Sequence, residues 1–251
     1  MTTRRERFRE MKRYALYYGY GETERLASFD AAIVEPKGHT KDSIATLRAE
    51  GTLAIAYVSV IEIASFDPLY PMLESSDFLT IGGSRARNEG FDTELVSLRS
   101  ERWRGLLSHR IGSLLFRDGY DGVFLDTIGD AEWTSLGGES PKECEAAAAF
   151  VTELRKLFPD HILIQNNGLE YILERTAAVV DAYCWENPPV GVPGSVRWIA
   201  SLSEHLRRFR ERHGTLALCV TDREDTAEAT KRWAESEGYR FYAASSNYLR
   251  M

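Results

Sequence analysis

Eight short apolar runs, separated by stretches with helical patterning, limit what this chain can fold into. The runs fall at residues 14–18, 29–36, 53–60, 123–125, 161–165, 178–185, 215–220 and 238–243. Several are apolar without interruption, which suits parallel strands covered on both faces. Between them the spacing predicts helices over 40–50, 92–117, 140–158, 169–175, 196–212 and 224–237. Gly51 stops the first of these and Pro141 lies in the first turn of the third. No signal for an antiparallel hairpin stands out. The alternation, in a chain of 251 residues, predicts the α/β class: a single-domain (β/α)8 TIM barrel over 14–251, preceded by an N-terminal arm over 1–13. A doubly wound open sheet is the competing arrangement. It normally carries a Gly-rich dinucleotide turn after its first strand, and Gly19-Tyr20-Gly21 lacks the third glycine. Residues 62–90 have no clear period, and so long a connection points to a lid or binding loop.

In a barrel the strand ends converge on one mouth, and the chemistry belongs there. The residues placed at the strand ends are Tyr18, Glu35, Glu62, Asp126, Asn166, Asn167, Glu186, Asp222 and Ser245-Ser246-Asn247, with Tyr20, Tyr57, Tyr70, Trp133, Trp185, Tyr242 and Tyr248 as aromatic residues near the mouth. Asp126 follows Val123-Phe124-Leu125 directly. The plainer role for it is capping the next helix, but Thr127-Ile128-Gly129-Asp130 is not a clean helix start. Asp222 competes with a cap in the same way. Paired carboxylates are what glycosidic cleavage needs, one to protonate the leaving oxygen and one to attack or stabilise the anomeric carbon. Asp126 and Glu186 are the expected pair. Flat rings stack on sugar faces, while acids and amides bind hydroxyls and amines. Tyr18, Tyr57, Glu62, Asp130, Asn166, Asn167, Trp185 and Asp222 are therefore the expected substrate-binding residues.

Other classes fit less well. The net charge of −7 and pI of about 5.4 argue against nucleic acid, which needs clustered Lys and Arg. The five histidines form no HxH or HExxH, so no metal is expected. No cofactor is expected either. No strand ends in Lys, which disfavours a Schiff-base lyase or aldolase. Cys144, Cys184 and Cys219 are widely spaced and suit buried free thiols. No apolar run is long enough to cross a bilayer, so no membrane partner is expected. The basic start, Met1 to Arg7, is followed by no apolar segment, which predicts a cytoplasmic protein, or a secreted one if a leader has been removed.

Tyr17-Tyr18-Gly19, Ala56-Tyr57-Val58-Ser59, Asp121-Gly122-Val123-Phe124-Leu125-Asp126, Gln165-Asn166-Asn167-Gly168 and Tyr183-Cys184-Trp185-Glu186 together resemble glycoside hydrolase family 114, the endo-α-1,4-polygalactosaminidase-like barrels. The resemblance runs from Tyr14 to Tyr248. It implies that Asp126 and Glu186 are the catalytic carboxylates. It also implies an α-linked, partly deacetylated galactosamine glycan as the carbohydrate partner. A carbohydrate-binding barrel without catalysis is the alternative. It would keep the aromatic residues but hold the two carboxyls too far apart, or tie them up in ion pairs.

Overall fold

The computed structural model describes residues 2–251. Eight strands lie side by side in sequence order: β1 (Tyr14–Tyr17), β2 (Ala31–Val34), β3 (Leu53–Ser59), β4 (Gly122–Asp126), β5 (Ile162–Asn166), β6 (Ala182–Glu186), β7 (Leu216–Thr221) and β8 (Arg240–Ala243). Every neighbouring pair is parallel. β8 returns against β1 through side chains. Tyr14 packs on Tyr242 with ring centres 5.9 Å apart, and Arg240 Nε donates to the Met11 carbonyl at 3.1 Å. The sheet is thus nearly closed, a single-domain (β/α)8 barrel.

Successive side chains of a strand face opposite ways. Leu16, Ile33, Ile55, Phe124, Ile164, Cys184 and Val220 fill the interior. Their strand neighbours Ala15, Ala32, Ala54, Val123, Leu163, Tyr183 and Cys219 pack outward in a second, larger core under the helices. The three cysteines are buried free thiols. Helix Arg4–Glu10 covers the barrel floor. Thr3 and Glu6 cap it reciprocally, and Phe8 and Met11 join the interior core. Arg5 and Arg155 both reach the buried Asp181 carboxylate, at 2.8 and 2.6 Å. No helix among the described residues is long and apolar enough to cross a membrane.

Four expected helices are present as Lys41–Ala49, Ser140–Leu157, Val196–His213 and Ala227–Ser236. Residues 92–117 differ. Thr93–Leu95 is a strand, and the helix spans Glu101–Gly112, followed by a π-helical turn over Ser113–Arg117. Ser100 caps the helix by accepting from the Trp103 N–H at 3.1 Å. Leu95 and Leu98 happen to match helical spacing, but they are buried ahead of the helix rather than on it. The expectation of no antiparallel pairing fails in the same region. Glu62–Ala64 pairs antiparallel with Thr93–Leu95, which pairs with Arg87–Asn88, and Thr80–Ile81 pairs with Ser84–Arg85. Strands of two or three residues are too short to leave an alternating pattern in sequence.

Phe8 is fully buried at the barrel floor. Phe8→Ala is expected to lower the unfolding free energy by about 3–5 kcal/mol, read from urea denaturation. A loss below ~1 kcal/mol, the range of surface substitutions, would show that the N-terminal helix is not part of the core.

Candidate active site

The pleat decides which strand-end side chains share the mouth. Counting by twos from the interior residues Leu16, Ile55, Phe124, Ile164, Cys184 and Val220 brings Tyr18, Tyr57, Asp126, Asn166, Glu186 and Asp222 to the inner face. The structure joins them tightly. Asn166 Nδ2 donates to Asp126 Oδ1 and to Glu186 Oε2, at 2.6 Å each. The two carboxylate oxygens therefore stand no farther apart than twice that distance. Tyr248 donates from its hydroxyl to Glu186 Oε1 at 2.5 Å, and Tyr57 is the phenol beside Asp126. Tyr18 packs between Tyr57 and Tyr248, with ring centres 4.7 and 5.1 Å away.

Both carboxyls are raised above their ordinary range. For Asp126 the cause is burial, opposed by the hydrogen bonds from Asn166, Tyr57 and the Thr127 backbone. For Glu186 burial and then the Asp126 charge push it up to about 7, against the donors Tyr248 and Asn166. The two acids thus sit in different environments: Asp126 is the better solvated by hydrogen bonds, and Glu186 holds a proton near neutrality. Asp126 caps no helix. The turn that follows starts at Thr127, whose φ of 60° is left-handed and whose side chain makes no cap bond. Instead Thr127 Oγ1 accepts from the backbone N–H groups of Val60, Ile61 and Glu62 at 3.2, 3.0 and 3.3 Å. It ties the end of β3 to the end of β4.

Glu62 and Asp130 lie beside the pair. Glu62 takes one donor on each oxygen, Asn88 Nδ2 and Thr93 Oγ1, both at 2.6 Å. Burial first, and then the neighbouring Glu62 carboxylate, push the Asp130 carboxyl up to about 10. Asp130 reaches this place because Gly129 has no side chain. A Cβ there would meet Asn167 Cβ and the Gly168 nitrogen at 2.8 Å.

Trp185 has another role, and Asn167 carries a structural bond. Trp185 follows Cys184 and precedes Glu186 on β6, so its ring faces outward. It is 3% exposed and packs edge-on against Trp198 and Trp233, at 5.7 and 5.2 Å. It cannot touch a ligand in the mouth. Asn167 has a left-handed φ of 54°, and its Oδ1 accepts from the Glu186 backbone N–H at 3.1 Å. It fixes the end of β6. Asp222 does not cap its helix, which starts behind Thr226. It lies near enough to raise Glu186. Tyr248 was expected only as an aromatic residue near the mouth, and its bond to Glu186 was not predicted. Asn88 and Thr93 left no trace at all.

A sequence model of the glycoside-hydrolase family GH114 matches residues 3–188, a span that contains both acids. The fold is similar to the glycoside hydrolase domain of PelA from Pseudomonas aeruginosa, with 22% identity and a TM-score of 0.78 over 96% of this chain and 97% of that one. It is similar to Aspergillus fumigatus Ega3 in complex with galactosamine, with 13% identity and a TM-score of 0.69 over 96% and 92%. The α-galactosidase TtGalA of Thermus thermophilus follows at 12% identity and a TM-score of 0.64, over 95% of this chain and 59% of that one. The search of curated proteins found no significant match. Since the family match takes in most of the barrel and both central carboxylates, the chain belongs to glycoside-hydrolase family GH114 and is a glycoside hydrolase.

Proposed function

We propose that the protein cleaves an α-linked, galactosamine-containing glycan by a retaining, two-carboxylate mechanism. Asp126 is the nucleophile and Glu186 the general acid and base. One observation carries the reading: a single amide nitrogen, Asn166 Nδ2, holds both carboxylates at 2.6 Å. Retaining enzymes keep their carboxyls about 5–5.5 Å apart, whereas inverting ones leave about 6.5–9.5 Å for a water. The spacing here supports the first. The division of roles follows from the surroundings. A nucleophile must be ionised, and Asp126 has three hydrogen-bond donors that favour its anion. A general acid must hold a proton, and Glu186, at about 7, does so. In the first step Glu186 protonates the leaving oxygen as Asp126 attacks the anomeric carbon. In the second, Glu186 takes a proton from water, which displaces Asp126.

The amino-sugar substrate is supported by the acidic mouth and by the galactosamine bound to Ega3, which has a similar fold. A carbohydrate-binding barrel without catalysis would separate the carboxyls or pair them with cations. Neither acid is in an ion pair among the described residues, and the two lie close together.

Asp126→Asn and Glu186→Gln are each expected to lower kcat on galactosamine oligomers by roughly 10²–10⁴-fold, with the fold intact by circular dichroism. An activated aryl leaving group, which needs no proton, should largely restore the glycosylation step in the Glu186 variant and not in the Asp126 variant. Equal restoration in both would overturn the assignment of roles. The first product seen by proton NMR should keep the α configuration, and a β product would remove the retaining mechanism. Glu186 must be protonated in the first step, so kcat/KM should fall as pH rises through about 7. Tyr248 favours the Glu186 anion, so Tyr248→Phe should move that descending limb to higher pH. A shift to lower pH would contradict the hydrogen bond.

A further inference from the structure

A cavity of about 240 Å³ lies outside the barrel wall, between the start of helix Lys41–Ala49 and the π-helical turn Ser113–Arg117. Pro36, Ile44 and Leu114 supply its apolar lining, and His39, Lys41, Asp118 and Tyr120 its polar one. The sheet separates it from the acid pair. Ile44, Leu114 and Tyr120 belong to the core under the helices, whereas Asp126 and Glu186 follow the interior residues of their strands. Tyr120 is 2% exposed, and its hydroxyl is buried without a hydrogen-bond partner among the described residues. Both ring nitrogens of His39 are buried and unpaired as well. Covered polar atoms without partners are costly, and folded chains keep few of them. Here three belong to two residues that line one cavity. Burial lowers the pKa of His39, so its ring is neutral near pH 7 and offers one donor and one acceptor. Burial also keeps the Tyr120 phenol protonated. Lys41 Nζ and Asp118 Oδ1 stand 3.8 Å apart, so their charges cancel, and the Lys41 side chain is 58% exposed, which puts that end of the cavity at the surface. An anion would meet Asp118 and a cation would meet Lys41. A neutral molecule with several hydroxyls avoids both costs, since each hydroxyl donates and accepts. The volume is below the ~300 Å³ at which drug-sized sites begin, which suits one sugar ring rather than a chain.

We propose that this cavity is a second carbohydrate site, which holds one neutral pyranose unit of the glycan away from the catalytic mouth. The choice of sugar rests on the substrate reading above. His39 and Tyr120 bond the inner hydroxyls of the ring, and Lys41 and Asp118 the outer ones. Pro36, Ile44 and Leu114 lie against its apolar face. The unpaired atoms sit beneath the lining, so binding includes a turn of the His39 side chain toward the cavity. A polymer held here by one unit keeps its other units close to the mouth, and their arrival there becomes an intramolecular event. The site therefore serves long chains and not short ones.

Titration of the Glu186→Gln protein with free N-acetylgalactosamine, followed by NMR of the Ile44 and Leu114 methyl groups, tests the site. Both residues should shift and saturate together. Adding Tyr120→Phe removes one oxygen and keeps the ring, and should weaken this binding by about tenfold. His39→Phe should act in the same direction. Tyr120→Phe should not lower the thermal midpoint, because the hydroxyl it deletes has no partner. In the otherwise native chain, Tyr120→Phe should raise KM on a partly acetylated galactosamine polymer by about fivefold or more at unchanged kcat, and leave KM on a tetramer within about twofold. No shift at Ile44 and Leu114, or an unaltered polymer KM in Tyr120→Phe, would mean that the cavity holds water only and would overturn the second site while leaving the hydrolase standing. Binding of N-acetylgalactosamine in the cavity, with no cleavage of any galactosamine polymer by the unaltered enzyme, would support the site and overturn the substrate reading instead.

Discussion

A strand in a closed barrel has two faces and no third choice. Each second residue points to the axis, and the residue between points to the helices. This parity places the whole site. Phe124 is inside, so Asp126 is inside. Cys184 is inside, so Glu186 is inside and Trp185 is not. The register then sets the heights. Ser59 lies level with Asp126 across β3 and β4, and Glu186 lies level with Val220 across β6 and β7. Asn166, between the two acids on β5, is the one side chain placed to reach both. No loop has to fold correctly for the two carboxylates to face each other, because both are the last residues of buried strands.

The cost of that arrangement is electrostatic. Burial raises both acids, and the Asp126 charge raises Glu186 further, as the Glu62 charge does Asp126. The chain does not answer with Lys or Arg, which would fix both acids as anions and leave no general acid. It answers with neutral donors: an amide on both acids, a phenol on each, a backbone N–H on Asp126. Hydrogen bonds of this kind are worth about 1.5–3 kcal/mol to a charged group, and each of them opposes the rise that burial imposes. The asymmetry between Asp126 and Glu186 is a small difference in donors set against a large shared burial.

What was legible in the sequence follows the same parity. Eight apolar runs gave the barrel because uninterrupted burial leaves a strong signal. Asp126, Asn166 and Glu186 were visible because each directly ends such a run. Trp185 was misplaced by treating the strand end as a zone rather than a face; its neighbour Glu186 pointing in already requires it to point out. The helix expected over 92–117 overran the strand Thr93–Leu95, since Leu95 and Leu98 keep a helical spacing while packing in an insertion of very short strands. Contacts made across sequence, such as Asn88 and Thr93 to Glu62 or Tyr248 to Glu186, span 26, 31 and 62 positions. No local pattern encodes a distance of that kind.

The division of labour between strands and insertion has a physical reason. Bond cleavage needs two acids fixed within a few tenths of an ångström, and rigid strands supply that. The segment between β3 and β4, where Glu62, Asn88 and Thr93 lie, stands to one side of the two acids. Thr127 Oγ1 joins the two by accepting from three successive backbone N–H groups ending at Glu62, and the Val60 N–H also donates to the Asp126 carbonyl at 3.0 Å. Thr127 follows Asp126 directly. Glu62 is therefore held at the mouth by the neighbour of Asp126, and the spacing between the two acids stays fixed even where the insertion itself is built from strands of only two or three residues.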